Sequence, residues 1–277
     1  MQIQHYLRRR EFLKLSAAFA STMSIAALSG YLQPQTTIKR RPPNDELDDF
    51  IQTKMQTAHL PGLAACIVRN NQIVWTKGYG WANIQEQTPI TPDTLFMLAS
   101  VSKTVTAVAL MQLYDDGLFD LDNDINAYLP FSVRNPNHPD TPITPHMLLT
   151  HTSSINDNWD ILDTLYVTGD SPISLANFCA GYVTSGGTYY DSNNNFHNQA
   201  PGTLYSYSNV GAALCGFLAE SLSGLSFEQH CQQRLFTPLG MNETSWHLAG
   251  LNVDNLATPY AYANGGYTPY AHYGYPD

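Results

Sequence analysis

Apolar positions along this chain switch between two periods, and the switches mark out its elements. Residues 44–55 place Leu47, Phe50, Ile51 and Met55 at helical spacing with acids in the first turn, which predicts a short amphipathic helix. Residues 63–68 and 73–76 are apolar runs on either side of Asn70-Asn71, the pattern of a β-hairpin. A third strand is expected through Gly78-Tyr79-Gly80-Trp81. From 100 to 116 the helical period returns: Val101, Val105, Val108, Leu110, Met111 and Tyr114 make several faces apolar, and Gly117 is a suitable stop. A helix that is apolar nearly all round is expected to be buried. Residues 118–129 predict a loop leading into a short helix. Residues 156–203, rich in Asn, Gly, Ser and Tyr, predict a long irregular stretch broken by one helix near 174–183. Long loops in compact domains tend to line binding sites. Two further helices are predicted at 209–223, ended by Gly224, and at 226–235. Strands early and helices in the middle predict an α+β class, a sheet with a helical lobe.

Charge divides the chain in two. Seven of its 13 Lys+Arg precede residue 42, with Glu11 as the one acid there, so residues 42–277 carry 6 basic and 22 acidic groups, a net of −16. A body this acidic lacks the clustered Lys/Arg that grip a phosphate backbone, which excludes nucleic-acid binding. The basic end instead reads as an address. Arg8-Arg9-Arg10-Glu11-Phe12-Leu13-Lys14, a moderately apolar stretch and small residues near Ala27-Leu28-Ser29 match a secretory signal over 1–29, similar to the twin-arginine type. Residues 30–43, with Pro34, Pro42 and Pro43, read as an extended linker, and 44–277 as the functional domain. The expected location is therefore the periplasm or the exterior. Ser16, Ser21, Thr22 and Ser24 make the leader a poor permanent membrane span. Export would permit disulfides, yet Cys66, Cys179, Cys215 and Cys231 all sit in apolar surroundings and form no C-x-x-C, so four buried free thiols are expected.

Several motif-like strings lead nowhere. Gly78-x-Gly80 lacks the third glycine of a dinucleotide fingerprint, since Asn83 stands there. Asp120, Asp122 and Asp124 resemble a calcium loop, but Ile125 and Phe131 occupy the positions that need glycine and glutamate, so a turn-and-cap cluster is expected. There is no H-E-x-x-H, and His146 and His151 are five apart, off a shared helix face. No metal and no cofactor is expected.

The chemistry concentrates elsewhere. Only five lysines occur, none after Lys103, and Lys103 stands three residues after Ser100 in the predicted buried helix. Positions i and i+3 share a helix face, so Lys103 can reach the Ser100 hydroxyl, and desolvation would favour its neutral, proton-accepting form. S-x-x-K alone is a weak signal, equally compatible with Ser100 as a helix cap and Lys103 as a solvated side chain. Context strengthens it: Tyr207-x-Asn209 sets a phenol, able to relay a proton, beside an amide at a loop–helix junction. No G-x-S-x-G nucleophile elbow occurs.

With these motifs in this order, the chain resembles serine β-lactamases and penicillin-binding proteins, in particular class C β-lactamases and the related DD-peptidases and esterases. The resemblance runs from about residue 45 to 248. It is carried by Pro61-Gly62, Gly78-Tyr79-Gly80, residues 94–103, Gly117-Leu118-Phe119-Asp120-Leu121-Asp122, Leu148-Leu149-Thr150-His151-Thr152-Ser153, residues 201–209 and Pro238-Leu239-Gly240-Met241. It implies an antiparallel sheet flanked by helices plus a helical lobe. It further implies that Ser100 forms an acyl-enzyme with a small-molecule or peptide amide or ester, with Lys103 and Tyr207 handling the proton in either order and Asn209 orienting the substrate amide. His151 belongs to a structural segment by the same resemblance. Ser154 departs from it, standing where glycine is usual. The third motif, K-T-G or H-x-G on a late strand, is not matched: no lysine follows Lys103, and His272-Tyr273-Gly274 fits H-x-G by letters but lies too close to Asn209. The resemblance thus implies further strands beyond position 277. The alternative function is a catalytically impaired or non-catalytic binding protein on the same scaffold.

Overall fold

The computed structural model describes residues 45–274 and Pro276. The signal and linker expected over 1–43 lie outside these residues. The chain divides into two compact units, one ending at Phe50 and the other starting at Ile51. Helix α1, Asp45–Ala58, spans that boundary, and the remaining elements belong to the second unit.

Strands β1 (Gly62–Arg69) and β2 (Gln72–Asn83) form the predicted antiparallel hairpin. Asn70 and Asn71 turn it with φ of +53° and +58°, the left-handed pair that matches strand twist and that asparagine tolerates. The short β3 (Thr88–Pro89) pairs with the far end of β2, giving the order β1-β2-β3. The separate strand expected through 78–81 does not exist; those residues continue β2. Glycine makes the continuation possible. A Cβ at Gly78 would lie 2.2 Å from the Ile90 carbonyl oxygen, and Gly80 takes φ +68° with Pro61 equally close. Only a residue without a side chain lets the strand pass so near its neighbours.

A 3₁₀ turn at Ala99–Val101 leads into helix α2, Ser102–Asp115. After it come Pro145–Leu149 (α3), Trp159–Leu162 (α4), the short strand Val167–Thr168 (β4) and Leu175–Val183 (α5). Helix α6, Asn209–Ser223, and helix α7, Phe227–Cys231, follow; α7 runs on as a π-helical turn, Gln232–Phe236. Strands β5 (Tyr260–Ala263) and β6 (Gly266–Pro269) form a hairpin, while β7 (Tyr273–Gly274) pairs with β4. Among the described residues no single helix is long and apolar enough to cross a membrane.

Helix α6 is the axis of the core, with nine of its 15 residues buried and α2, α3, α5 and α7 packed around it. Its ends obey local rules. The Ser208 hydroxyl accepts from the Gly211 N–H at 2.9 Å, and Gly224 closes it in a left-handed conformation. Ser174 caps α5 and Ser226 opens α7 with a capping box. The aspartates at 120–124 serve turns and a cap, Asp124 accepting from the Asn126 N–H at 3.0 Å.

Two burial expectations need correction. Helix α2 is not buried all round. Thr106, Ala109, Leu110 and Leu113 form its buried stripe, while Val101 and Val108 are 60% and 50% exposed. Only the stripe facing α6 is covered among the described residues, so the wide apolar girdle of the sequence does not translate into uniform burial. Three cysteines are buried and outside any disulfide, as expected, but Cys66 is exposed. It lies on β1, whose outer edge pairs with no strand among the described residues and whose residues are mostly solvent-facing, so an apolar neighbourhood in sequence does not cover it.

Candidate active site

Ser100 sits in the 3₁₀ turn rather than inside α2. The preceding Ala99 has φ +46°, a left-handed conformation costly for any residue with a Cβ, and the turn leaves Ser100 exposed. Neither the turn nor α2 has a side-chain cap, so the reading of Ser100 as a helix cap is excluded. Lys103, one turn on and half-buried, donates from Nζ to Ser100 Oγ at 3.4 Å. The same ammonium stands 5.2 Å from the centre of the Tyr207 ring. Ser100 and Tyr207, more than a hundred residues apart in the chain, therefore converge on Lys103.

Asn209 is the first residue of α6, two positions from Tyr207. Its Nδ2 donates to Asp157 at 2.9 Å, so one amide N–H is committed to the protein and its carbonyl oxygen is the acceptor it can turn outward. Asp157 was not singled out in the sequence. It lies in the irregular stretch 156–203, ahead of the one helix predicted there, yet it contacts three consecutive residues at the start of α6. α6 has no acid in its own first turn, and Asp157 supplies the carboxylate at its positive end.

His151 supports the same segment. Its Nδ1 accepts from the Ser208 N–H at 3.2 Å and its carbonyl from the Ser206 N–H at 2.8 Å. The first bond fixes the proton of the neutral ring on Nε2. The imidazole also packs on the Tyr207 ring at 4.6 Å between centroids. A small cavity of about 40 Å³ lies beside this contact, lined by Lys103, Thr106, Leu148, His151, Ala212 and Cys215. Burial, joined by the positive charge of Lys103 and opposed by Asp157, holds His151 below the usual histidine range. His230, buried under α2 with Nε2 3.3 Å from the Ala109 carbonyl, is lowered chiefly by burial.

Both depressed histidines favour the neutral ring in the folded chain. The unfolded chain takes up protons near the ordinary value, so the stability present above about pH 6.5 declines as the pH falls from there towards the folded values. The melting midpoint is expected to drop as the pH falls below about 6.5, and His151→Asn or His230→Asn should each flatten that slope. Equal slopes in wild type and both variants would remove the basis for this expectation.

Two other sequence features find their place. Ser154 adopts φ +64°, the conformation glycine would supply, and its buried Oγ accepts from Asn135 Nδ2 at 3.0 Å, a bond glycine could not make. The His272-Tyr273-Gly274 string does not join the β1–β2 sheet. His272 Nε2 lies 3.0 Å from the Ala257 carbonyl, and Tyr273-Gly274 forms β7 against β4.

A hairpin-led sheet, a Ser-x-x-Lys turn at the head of one core helix and a Tyr-x-Asn at the head of another together define a β-lactamase-like domain. The β-lactamase family model matches residues 47–274, and the chain belongs to that family. Among curated relatives, a D-aminopeptidase of Gluconobacter oxydans (strain 621H) is 30% identical over 184 residues, 65% of this chain and 31% of that protein. Protein flp of Staphylococcus aureus (strain N315) is 26% identical over 201 residues, 73% of this chain and 38% of its own. Among solved structures, the octameric penicillin-binding protein homologue from Pyrococcus abyssi aligns with a TM-score of 0.62 at 26% identity, covering 81% of this chain and 50% of that one. The chain thus spans less than two-fifths of the length of these curated relatives.

Proposed function

We propose that this domain is a serine hydrolase that forms an acyl-enzyme on Ser100 from an amide or ester substrate. The observation that carries the reading is the position of Lys103, within reach of the Ser100 hydroxyl and over the Tyr207 ring at once. In the reaction, Ser100 Oγ forms a bond to the carbonyl carbon while its proton passes to Lys103 or Tyr207, either of which can return it to the leaving amine or alcohol as the C–N or C–O bond breaks. Water then attacks the ester and the same groups move the proton back. The cluster around Lys103 lets one site serve both half-reactions, since the neutral amine or the phenolate can take the Ser100 proton and give it back. Asn209 orients the substrate through its outward carbonyl oxygen, which suits an amide N–H. The D-aminopeptidase relative favours D-amino-acid peptides or amides as substrates, with β-lactams and small esters as chemical neighbours. The basic leader supports an exported protein that meets such substrates outside the cytoplasm.

Incubation of the chain with a fluorescent penicillin and, separately, with a p-nitrophenyl ester tests the reading by intact mass and peptide mapping. A stoichiometric adduct on Ser100, absent in Ser100→Ala, is expected. The alternative is an impaired, binding-only scaffold. That alternative forecasts reversible binding with no adduct, and this outcome would overturn the hydrolase reading.

A further inference from the structure

Asp157 makes more bonds to the proposed site than any residue the sequence singled out. Its Oδ1 accepts from the Ser208 hydroxyl at 3.0 Å and the Val210 N–H at 3.2 Å. Its Oδ2 accepts from the Asn209 N–H and Asn209 Nδ2, both at 2.9 Å. Four donors fill the acceptor sites that an ionised carboxylate offers, and they come from three consecutive residues. The negative charge also faces the positive end of α6, which has no acid of its own in its first turn.

The carboxylate is itself held. The buried Tyr182 phenol donates to the Asn156 carbonyl at 2.8 Å and accepts from the Asn158 N–H at 2.7 Å, gripping the backbone on both sides of Asp157. Asn158 Nδ2 donates to Asn195 Oδ1 at 3.1 Å, and Asn195 Nδ2 donates to the carbonyls of Tyr182 and Tyr189 at 2.9 and 2.7 Å. A satisfied buried network of this kind fixes geometry rather than adding surface charge. On the other side His151 pins Ser206 and Ser208, so the segment is clamped before and after Tyr207 while the phenol itself is left outside the clamp.

We propose that Asp157 is the positioning residue of this site: it sets the start of α6 so that Tyr207 meets Lys103 and Asn209 faces the substrate. The inference rests on the reading of Ser100 as nucleophile. A carboxylate is required because an amide at 157 would turn an N–H towards N–H donors on one side. Its charge matters as well as its shape. Lys103 on α2, His151 and Tyr207 are the titratable groups gathered at the site, and the negative charge of Asp157 favours the protonated form of His151.

The test compares wild type, Asp157→Asn and Asp157→Glu in the pre-steady-state release of p-nitrophenol from a p-nitrophenyl ester, from pH 5 to 10, with thermal melts alongside. Asp157→Asn is expected to slow acylation about 10- to 100-fold, mainly in kcat, because a misplaced proton-transfer group costs about this much. Its basic limb should also move to lower pH, since loss of a negative charge eases deprotonation of the site. Asp157→Glu keeps the charge, so its limb should stay in place while the displaced segment slows acylation several-fold. An unchanged rate and limb in Asp157→Asn overturns the proposal, as does a loss that only tracks the folded fraction with the limb unmoved. If Asp157→Asn does not fold, wild-type kinetics in Asp157→Glu overturn it. Absence of any Ser100 adduct in wild type refutes the nucleophile reading itself, and the inference then falls with its premise.

Discussion

Lys103→Met is expected to slow acylation of Ser100 by about 10²–10⁴-fold, the range that a positioned proton-transfer group supplies. Methionine keeps the length and much of the volume of the half-buried stem, so packing on α2 survives the change. What disappears is the charge that reaches Ser100 Oγ at 3.4 Å and sits over the Tyr207 ring. Losing the ring contact alone would cost about 0.5–1 kcal/mol, far less than the kinetic effect, so the melt and the rate should part company. Lys103→Arg should not rescue the reaction, because a guanidinium does not give up its proton in proteins. Stopped-flow measurement of the acylation burst checks this. A burst within tenfold of wild type in Lys103→Met would assign the proton transfer to Tyr207 alone.

The largest stability effect is expected at the axis of the core. Leu214, on α6, is 0% exposed, and truncating it to alanine should cost about 2–5 kcal/mol through lost burial and the cavity left behind. For a domain of this size that is on the order of 5–15 °C in melting midpoint. Val108→Ala on α2 is the informative contrast: the side chain is half exposed, and its loss should stay within about 0.5 kcal/mol. Thermal denaturation of the two variants tests whether the covered stripe of α2, and not its whole apolar girdle, carries the packing. Equal losses would show that the exposed face of α2 is buried in solution.

Local rules explain which parts of the molecule can be read from the chain. The hairpin follows from two apolar runs and a pair of asparagines able to take positive φ, and the bounds of α5 and α6 follow from Ser174, Ser208 and Gly224. Ser100 and Lys103 are legible for the same reason, since three residues along a turn or helix is a local distance. Contacts made across the chain are not legible. Asp157 reaches its partners over 51 to 53 residues, and nothing in an irregular stretch of Asn, Ser and Gly marks which carboxylate meets the start of α6. The β4–β7 pairing joins two-residue strands about a hundred positions apart, too short to show a period. The exposure of Val101, Val108 and Cys66 is a property of what packs on a surface, which hydrophobic spacing does not encode.

That difference among the thiols gives the protein a built-in reporter. Cys66 is open to solvent on the sheet, whereas Cys179, Cys215 and Cys231 are buried in the helical body, with burial pushing the Cys215 thiol up to about 12 and the Cys231 thiol to about 11. A water-soluble disulfide reagent added to the native chain thus counts one equivalent at once, and the remaining three become reactive only when the helices around α6 come apart. The time course of the later equivalents is a clock for opening of the core, and the first is a place to hang a dye without altering a residue.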